Sequence, residues 1–389
     1  MRGANANRLP KLRVAMLLPG LGRVHRGAET AFLELARGLL AFPDVKVTLF
    51  GTGTEVPAGI EMIQANCVPR ERFEGWPRIP VLRNEACYEE SMFIMSLMMR
   101  RAFRPQDFDI ALHCTFPFTN WFLRRAEKRG GPRAVFVTQN GDWMCRAESR
   151  EFRTFRSSAV VCTNPEYHER HRSRYRTALI PNGVDPTVFH PAPLAGETRD
   201  PRIPVGMKVV LMVSAMIASK RVADGVRAVA GAPDAFLVIA GDGPEREEVR
   251  QLAAALMPGR HLLLGSVHRA TMPALYRQAD AFLHMSQDEP FGIVYLEAAA
   301  SGLPVVAHDA PVPRWILGNC ALLANTSNTE GVTVALRLAL TSSVGRALGM
   351  SGRTRVLGGW TWAAQAAKYR DFFYSVSSNS HPRVRACSR

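Results

Sequence analysis

The stretch DEPFGIVYLEAAASGLPVVA, from Asp288 to Ala307, constrains the fold more than any other part of this chain. The apolar segment Ala281 to Ser286 that precedes it has the length of a strand, and Pro290 to Gly292 interrupt it where a helix must begin. Residues Ile293 to Ala300 predict that helix, and Leu303 to Ala307 predict the next buried strand. The order strand, turn, helix, strand is typical of a parallel α/β sheet.

This segment combines a helix start with two glutamates. The first turn of a helix has unpaired N–H groups at the positive end of its dipole, so the amides near Gly292 predict an anion site. Glu289 stands at the mouth of that site, and Glu297 follows after about 12 Å of rise if the whole span were helical. A helix glutamate is most often a solvated surface charge, but apolar and small residues surround Glu297 in the sequence. This context predicts a partly buried carboxylate that needs a partner.

The segment resembles the signature of family 4 glycosyltransferases, which have the GT-B fold. The residues that carry the resemblance are Glu289, Phe291, Gly292, Glu297, Ala298, Gly302, Pro304 and Val305. The resemblance implies an α/β chain with two Rossmann-like, doubly wound parallel-sheet domains and a ligand-binding cleft between them. It also implies that Glu289 lies beside the transferred sugar, that amides around Phe291 to Ile293 hold a diphosphate, and that Glu297 accepts hydrogen bonds from ribose hydroxyls.

The length of the chain predicts two domains, because 389 residues exceed the usual ceiling for one hydrophobic core. Apolar runs of strand length alternate with helical stretches in two series, which is the pattern of parallel α/β sheets. The predicted strands of the first series are Arg13 to Leu18, Val45 to Phe50, Asp109 to His113, Ala134 to Thr138 and Val160 to Thr163, and those of the second are Val209 to Ser214, Phe236 to Ala240, His261 to Leu264 and Ala281 to Met285.

A connector separates the two series. Asn182-Gly183 is a turn signal, and Pro186 to Pro204 is rich in proline and glycine. With the family resemblance, these features place an N-terminal acceptor-binding domain at residues 1–190 and a nucleotide-sugar-binding domain at 205–365. Residues 366–389 are expected to form a helix that returns towards the N-terminal domain, followed by a basic tail.

Lys220 predicts part of a diphosphate site. A departing nucleoside diphosphate develops negative charge, and a fixed cation stabilises that charge without a metal. The family usually has an arginine shortly before this lysine, where this chain has Ala215. Two interpretations of the adjacent Arg221 stay open: it replaces the missing cation, or it is an exposed arginine at the start of the predicted helix Val222 to Val229.

Gly241 and Gly243 follow a predicted strand, where glycine permits a tight turn and close backbone approach to a ligand. As a bare tetrapeptide, Gly241 to Pro244 is a weak signal. Its place one βα unit before Gly265 resembles the family loop that lies near the nucleotide. The donor-binding candidates are therefore Lys220, Arg221, Gly241, Gly243, Phe291, Gly292, Ile293 and Glu297.

The opening loop Leu18 to Thr30 resembles the glycine-rich acceptor loop of the family. Gly22 and Gly27 belong to the predicted acceptor and phosphate loop, but Arg26 stands where the family has a further glycine. Arg26 is interpreted either as a contact for an acceptor phosphate or as a solvated loop arginine. The methionine-rich segment Met92 to Met99 is interpreted as a helix core rather than an acceptor groove.

The predicted strand Ala134 to Thr138 ends at Gln139-Asn140-Gly141-Asp142, where many relatives carry a histidine that touches the donor sugar. This chain has no histidine there. Asn140 or Asp142 is the candidate to orient a sugar hydroxyl, although Asn-Gly by itself is also a turn signal. The catalytic candidates are therefore Glu289, Lys220, Asn140 and Asp142.

The net charge of +15 favours anionic partners. Basic residues concentrate at Arg124 to Arg133, at Arg170 to Arg176 and near the C-terminus, at Arg383, Arg385 and Arg389. An anionic membrane surface ranks above nucleic acid as the partner, because no nucleic-acid-binding module is recognisable. The alternative is that these residues form solvated faces.

The cysteine pattern and the hydropathy predict a cytosolic protein, and the basic charge adds an expected contact with the inner face of the membrane. The seven cysteines have no paired spacing, which excludes a recognisable zinc site and fits free thiols in a reducing compartment. No apolar run approaches the length of a membrane span, and Pro19 and Gly20 cut short the run Val14 to Leu18, which excludes a signal sequence there.

The resemblance predicts a retaining glycosyltransferase that moves a hexose from a nucleoside-diphosphate sugar to a saccharide or lipid-linked saccharide, in polysaccharide or glycolipid biosynthesis. It predicts no metal and no cofactor beyond the sugar nucleotide. The base, the sugar and the acceptor stay open. The alternatives are a non-catalytic nucleotide-sugar-binding subunit and another GT-B enzyme, such as a sugar epimerase or a pyridoxal-dependent phosphorylase.

Overall fold

The computed structural model describes residues 11–24, 26–146 and 152–378. The chain forms two units: one contains the residues up to Pro181 and those from Trp362 onward, and the other is the continuous segment Asn182–Thr361. The sequence placed the corresponding boundaries at residues 190, 205 and 365. The predicted basic tail with Arg383, Arg385 and Arg389 lies outside the described residues.

The first unit is built on a sheet whose neighbouring strands are all parallel, in the order β3-β2-β1-β4-β5-β6-β7. Its strands are β1 (Leu12–Leu17), β2 (Val45–Gly51), β3 (Glu61–Gln64), β4 (Ile110–His113), β5 (Arg133–Val137), β6 (Ala159–Cys162) and β7 (Thr177–Leu179). The helices between them are α1 (Gly27–Leu39), α2 (Glu85–Met99), α3 (Phe118–Lys128) and α4 (Pro165–His171).

The second unit repeats this plan with a parallel sheet in the order β10-β9-β8-β11-β12-β13. Its strands are β8 (Lys208–Val213), β9 (Ala235–Ala240), β10 (His261–Gly265), β11 (Ala281–His284), β12 (Val305–His308) and β13 (Ala321–Ala324). Its helices are α5 (Val222–Ala230), α6 (Arg246–Leu256), α7 (Met272–Gln278), α8 (Ile293–Ala300), α9 (Pro311–Leu317), α10 (Thr329–Leu340) and α11 (Ser342–Leu357).

The last helix, α12 (Trp362–Ser378), belongs to the first unit and packs on α1. The two helices approach closely at Gly38, where an added Cβ would lie 2.8 Å from the Cβ of Ala366. Arg370 donates to the Asp44 carboxylate, and the Tyr374 hydroxyl donates to the same group at 3.0 Å. Apolar packing and this ion pair together hold α12 in place.

The α/β class predicted from the sequence is confirmed. The central strands are continuous apolar runs buried on both faces, as helix-covered parallel sheets require. In both sheets the strand order reverses, between β1 and β4 and between β8 and β11. Ligands of such sheets bind beyond the carboxyl ends of the strands at this reversal, so each unit has one place where a site is expected.

Candidate functional site

The predicted donor residues of the second unit collect at the strand reversal between β8 and β11. The loop after β8 leads to Lys220, and the loop after β11 leads to Glu289 and then to the start of α8. The Nζ atom of Lys220 donates to Oε2 of Glu289 at 2.5 Å. Residues that are 69 positions apart in the chain therefore meet at the expected place.

His284, the last residue of β11, is a third member of this group. Its Nε2 lies 3.0 Å from the same Oε2 of Glu289. Burial by itself would raise the pKa of Glu289, but His284 and Lys220 outweigh that effect and hold this pKa at about 2. Glu289 is therefore an ionised, largely buried carboxylate near neutral pH. Sequence reasoning missed His284, although a histidine that ends a strand five residues before a candidate carboxylate was a usable signal.

The start of α8 has the features of an anion site. Gly292 and Ile293, where α8 begins, are only partly buried, and the first turn of a helix carries N–H groups that have no partner within the helix. Phe291 is buried and packs near Trp315 and Trp360, and these contacts fix the loop that precedes α8. Gly292 lies against Glu289, which pairs with Lys220, so an anion bound at the start of α8 would meet both a cation and a helix dipole.

Replacement of Gly292 by alanine is expected to destabilise the second unit and to weaken anion binding there. Gly292 has φ +79°, and a Cβ would lie 2.5 Å from Cε2 of Tyr295 and 3.0 Å from Cγ of Glu289. Either the buried tyrosine or the glutamate must move, at a cost of about 1–3 kcal/mol. Urea unfolding and titration with GDP and UDP measure the two effects.

Gly259→Ala is the matched control in the same unit. Gly259 has φ +70°, but nothing lies within 4 Å of its added Cβ. Gly259→Ala therefore introduces the same kind of backbone strain as Gly292→Ala, but its Cβ collides with no neighbouring atom. Equal losses of stability and nucleotide affinity in the two variants would contradict the role given to the space around Gly292.

Glu297 is buried at 2% exposure, and both of its oxygens have partners. Arg269 donates to Oε1, and the Tyr276 hydroxyl donates to Oε2 at 2.9 Å. The guanidinium of Arg269 also lies 4.9 Å from the centre of the Phe189 ring. The prediction of a partly buried glutamate that needs a partner is confirmed, but sequence reasoning did not identify Arg269 or Tyr276. The contact with a ribose stays a prediction.

Arg221 has a local partner. Its Nε donates to Asp224 at 2.8 Å and its Nη1 donates to Ser327 at 3.0 Å. The residue precedes α5 with φ +53°, and its side chain is 24% exposed. Asp224, which also pairs with Arg227, and Ser327 thus hold the side chain, which favours a role in fixing the start of α5 over replacement of the cation absent at Ala215.

Gly241 and Gly243 allow two loops to approach each other. An added Cβ at Gly241 would lie 1.8 Å from the carbonyl oxygen of Ser214, and one at Gly243 would lie 2.4 Å from that of Met216. Both glycines have positive φ, +147° and +159°. The sequence predicted a close backbone approach to a ligand at these glycines. In the structure the close approach is made to the loop after β8, which leads to Lys220.

The first unit holds the predicted acceptor loop at its own strand reversal. Gly22 has φ +72°, and a Cβ there would lie 2.9 Å from the carbonyl carbon of Gly53. Gly27 begins α1, and its added Cβ would meet nothing within 4 Å. Arg26 donates to the buried Glu29 at 2.8 Å, while its other terminal nitrogen, Nη1, is buried and has no partner among the described residues. A guanidinium N–H in this state is available to an anion at the start of α1.

Asn140 and Asp142 occupy different environments. Asn140 is exposed and its amide lies 3.8 Å from the sulfur of Cys114. The Asp142 carboxylate is 1% exposed and accepts from Arg146, Arg170 and His171, the last at 2.8 Å. The geometry therefore favours a structural role for Asp142 over contact with a sugar, and leaves Asn140 as the candidate in this loop.

Asp142→Asn is expected to destabilise the first unit by about 3 kcal/mol near neutral pH, because two arginines lose their buried partner. Burial raises the pKa of Asp142, but His171, Arg146 and Arg170 outweigh this and bring the pKa to about 2, from an ordinary value of 3.8. A lowered folded-state pKa gives stability that is present above pH 4 and is lost as the pH falls towards 2. Urea unfolding at pH 7, 5 and 3 measures the free energy of unfolding. The difference in this free energy between wild type and variant should become smaller only at the lowest pH.

Glu169→Gln is the control for this change. Glu169 forms an ion pair with Arg172 on α4, but the two side chains are 67% and 59% exposed. An exposed pair of this kind is worth at most about 1 kcal/mol. The buried network around Asp142 would be contradicted by a loss of stability in Asp142→Asn that does not change with pH. A loss as small as that of Glu169→Gln would also contradict it.

Two kinds of feature are absent from the residues that the structure describes. No group of three or more histidine, cysteine, aspartate or glutamate side chains in this part of the chain has the arrangement of a metal site. Within the same residues, no helix is long and apolar enough to span a membrane.

Comparison with known families shows similarity along both units. Residues 25–188 match the family described as Glycosyltransferase Family 4, and residues 197–347 match the family described as Glycosyl transferases group 1. The two matches do not overlap. They contain the loop with Arg26 and the site around Lys220, Glu289 and Glu297, respectively.

Two curated relatives come from Mycolicibacterium smegmatis. The chain is 28% identical over 269 residues to a GDP-mannose-dependent α-(1-6)-phosphatidylinositol monomannoside mannosyltransferase, covering 62% of this chain and 70% of that protein. It is 30% identical over 219 residues to a GDP-mannose-dependent α-mannosyltransferase, covering 55% of each. The second alignment thus spans little more than half of that relative. Among solved structures, sucrose-phosphate synthase from Thermosynechococcus elongatus has a TM-score of 0.77 at 18% identity, covering 95% of this chain and 100% of that one.

Proposed function

Because this chain belongs to the family 4 glycosyltransferases and has the GT-B fold, we propose that it transfers a hexose from a nucleoside-diphosphate sugar to a saccharide or lipid-linked saccharide, with retention at the anomeric carbon. The acceptor would belong to polysaccharide or glycolipid biosynthesis. The observation that carries the proposal is the group formed by Lys220, Glu289 and the start of α8. It joins a cation, a carboxylate and an anion site at one strand reversal.

In the proposed reaction, the diphosphate of the donor binds the amides from Phe291 to Ile293. The bond between the anomeric carbon and the phosphate oxygen breaks, and Lys220 and the helix dipole stabilise the charge that develops on the leaving group. The acceptor oxygen bonds to the anomeric carbon on the same face, and its proton passes to the departing phosphate. Glu289, ionised and beside this site, stabilises the positive charge that develops on the sugar. No bound cofactor or metal takes part in these steps.

A double displacement is the competing mechanism. Glu289 would then attack the anomeric carbon first and form a covalent glycosyl ester, which the acceptor would resolve. The low pKa of Glu289 makes it ionised, as a nucleophile must be, but its Oε2 is already engaged by Lys220 and His284. These two hydrogen bonds stabilise the negative charge of the whole carboxylate, including Oε1, which lowers its nucleophilicity and favours the same-face mechanism.

We propose that Glu297 holds the ribose. A carboxylate oxygen can accept two hydrogen bonds, and Oε2 of Glu297 uses one of its positions for Tyr276. Because Glu297 is 2% exposed, the ribose can reach it only where the partly exposed Arg269 gives way. Arg269 would then turn from Glu297 towards the nucleotide.

Isothermal titration of the purified protein with UDP, GDP and ADP tests the proposal. The curated relatives use GDP-mannose by name, so GDP is the first ligand to try. Tight binding of one nucleotide, with turnover of its sugar ester, supports the transferase. Binding without hydrolysis or transfer would favour a non-catalytic nucleotide-sugar-binding subunit, and binding of none of the three would contradict the proposal.

We also propose that the first unit contacts an anionic membrane surface from the cytosolic side. The interpretation of Met92 to Met99 as a helix core is wrong for one face of α2, because Met95, Met98 and Met99 are 58%, 57% and 79% exposed. They stand at positions i, i+3 and i+4 and form one stripe. Exposed arginines follow directly at Arg100, Arg101 and Arg104, and none of these pairs with a carboxylate in the described part of the chain. An apolar stripe next to unpaired cations fits the interface of an anionic bilayer.

Replacement of Met95, Met98 and Met99 by glutamine is expected to lower binding to vesicles that contain phosphatidylglycerol by at least about tenfold, because the apolar area that enters the interface is lost. Cosedimentation with such vesicles and with neutral phosphatidylcholine vesicles measures this. Met350→Gln is the matched control, since Met350 lies in the second unit and is 72% exposed. Equal binding of the triple variant and the control would contradict this surface.

A further inference from the structure

The two oxygens of the Glu289 carboxylate are not equivalent. Oε2 accepts from Lys220 at 2.5 Å and lies 3.0 Å from Nε2 of His284, whereas Oε1 has no partner within the described residues. We infer that His284 is a positioning residue: it anchors Oε2 of Glu289 and thereby turns Oε1 towards the donor sugar. This inference rests on the proposed function of the site, and it assigns a role to a residue that the proposed chemistry does not use.

Lys220 alone is a poor anchor for Glu289. Its ammonium group ends a flexible four-carbon side chain that is 20% exposed. It is also the cation that a bound diphosphate would attract. When a donor binds, Lys220 is drawn towards the phosphates, and a glutamate held only by this lysine would move with it.

His284 is fixed in a way that Lys220 is not. It ends the central strand β11, pairs through the backbone with Ala307 of β12, and its side chain is 4% exposed. Its ring is parallel to that of Phe282 at 6.3 Å and meets the edge of Tyr295 at 5.2 Å. The ring therefore has one orientation, with Nε2 aimed at Glu289.

Three charged or titratable side chains in the described part of the chain take part in the contacts of the His284–Glu289 pair: Glu289, Lys220 and Tyr295. Burial raises the pKa of Tyr295, so that it stays a neutral phenol. In each protonation state in which Nε2 carries hydrogen, His284 donates to Oε2 and the anchor persists. This hydrogen bond is separate from the one that Lys220 donates to the same oxygen.

The test compares His284→Leu, which removes the N–H donor, with His284→Gln, whose side-chain amide can donate from a similar position. We expect kcat to fall about 10- to 100-fold in His284→Leu while the affinity for GDP or UDP stays within about twofold, and His284→Gln to recover most of kcat. His261→Leu is the control, because His261 begins β10 and bonds the Met257 carbonyl instead. Full kcat in His284→Leu, or a change in KM alone, overturns the inference.

A spectroscopic measurement keeps the inference testable if His284→Leu does not fold. In ¹H–¹⁵N spectra of histidine-labelled wild-type protein, the Nε2–H signal of His284 should report a hydrogen bond to a carboxylate, and it should shift in Glu289→Gln. An unchanged signal overturns the inference. This readout requires no turnover, so a wild-type protein that binds no nucleotide would contradict the proposed function and leave the anchor to be decided by the spectra.

Discussion

Glu289→Gln is expected to lower kcat for sugar transfer by at least about 100-fold, while GDP or UDP binds within about threefold of wild type. The carboxylate is held at a pKa of about 2 by His284 and Lys220, so the native site presents a full negative charge beside the anion site at all physiological pH values. A neutral amide of the same shape can still accept from Lys220, which preserves the fold. The variant removes the negative charge that would face the sugar as positive charge develops on it.

Asp288→Asn provides the comparison for this change. Asp288 is the adjacent residue and is exposed, and its side chain belongs to no part of the proposed chemistry. Steady-state kinetics with the donor identified by titration should separate the two variants. Undiminished turnover by Glu289→Gln would remove Glu289 from the chemistry, and detection by mass spectrometry of a hexose bound to Glu289 in the wild type would replace same-face transfer by double displacement.

Glu297→Ala is expected to have the second largest effect, on both stability and nucleotide binding. It leaves the Tyr276 hydroxyl, which is fully buried, without its acceptor and Arg269 without its carboxylate. Loss of one member of a buried charged pair costs about 3–5 kcal/mol. Nucleotide affinity should fall by at least about tenfold if the ribose uses the same carboxylate. Urea unfolding and isothermal titration measure the two losses separately.

Tyr276→Phe and Glu297→Gln distinguish the structural part of this effect from the ligand part. Tyr276→Phe removes one hydrogen bond to Glu297 but keeps the carboxylate, so it should destabilise the protein and still bind GDP or UDP. Glu297→Gln keeps an acceptor for Tyr276 but loses the charge. Wild-type nucleotide affinity in Glu297→Gln would show that the ribose does not depend on this residue.

The parts of the fold that the sequence predicted are those with strong local patterns. Helix α8 has the predicted bounds Ile293 and Ala300, and β2 begins at the predicted Val45. The strands that sequence analysis missed lie at the edges of the sheets or are short: β3, β7 and β13. The four residues of β3, Glu61–Gln64, include two polar ends and two half-buried apolar residues, so they offer no apolar run to recognise.

The sequence predicted the environment of a site residue only where the neighbouring residues in the chain indicate that environment. The apolar neighbours of Glu297 predicted its burial, but its partners Arg269 and Tyr276 lie 28 and 21 positions away and meet it only through the fold. Asp142 has no such signal, since its partners Arg170 and His171 lie 28 and 29 positions away, on α4. For the methionines of α2 the sequence predicted a helix core, but three of them are exposed. Composition alone does not tell which face of a helix is covered.

The return of α12 to the first unit has a consequence for biosynthesis. The ribosome completes residues up to Pro181 and then makes the 180 residues of Asn182–Thr361 before Trp362–Ser378 emerges. At about 5–20 residues per second, this interval lasts roughly 10 to 40 s. Throughout it the nascent first unit lacks the helix whose Tyr369 and Phe373 become fully buried, and the second unit is complete before that helix emerges. The part of the protein that is translated first is therefore the part that finishes folding last, and its uncovered α1 surface is where a chaperone would be needed.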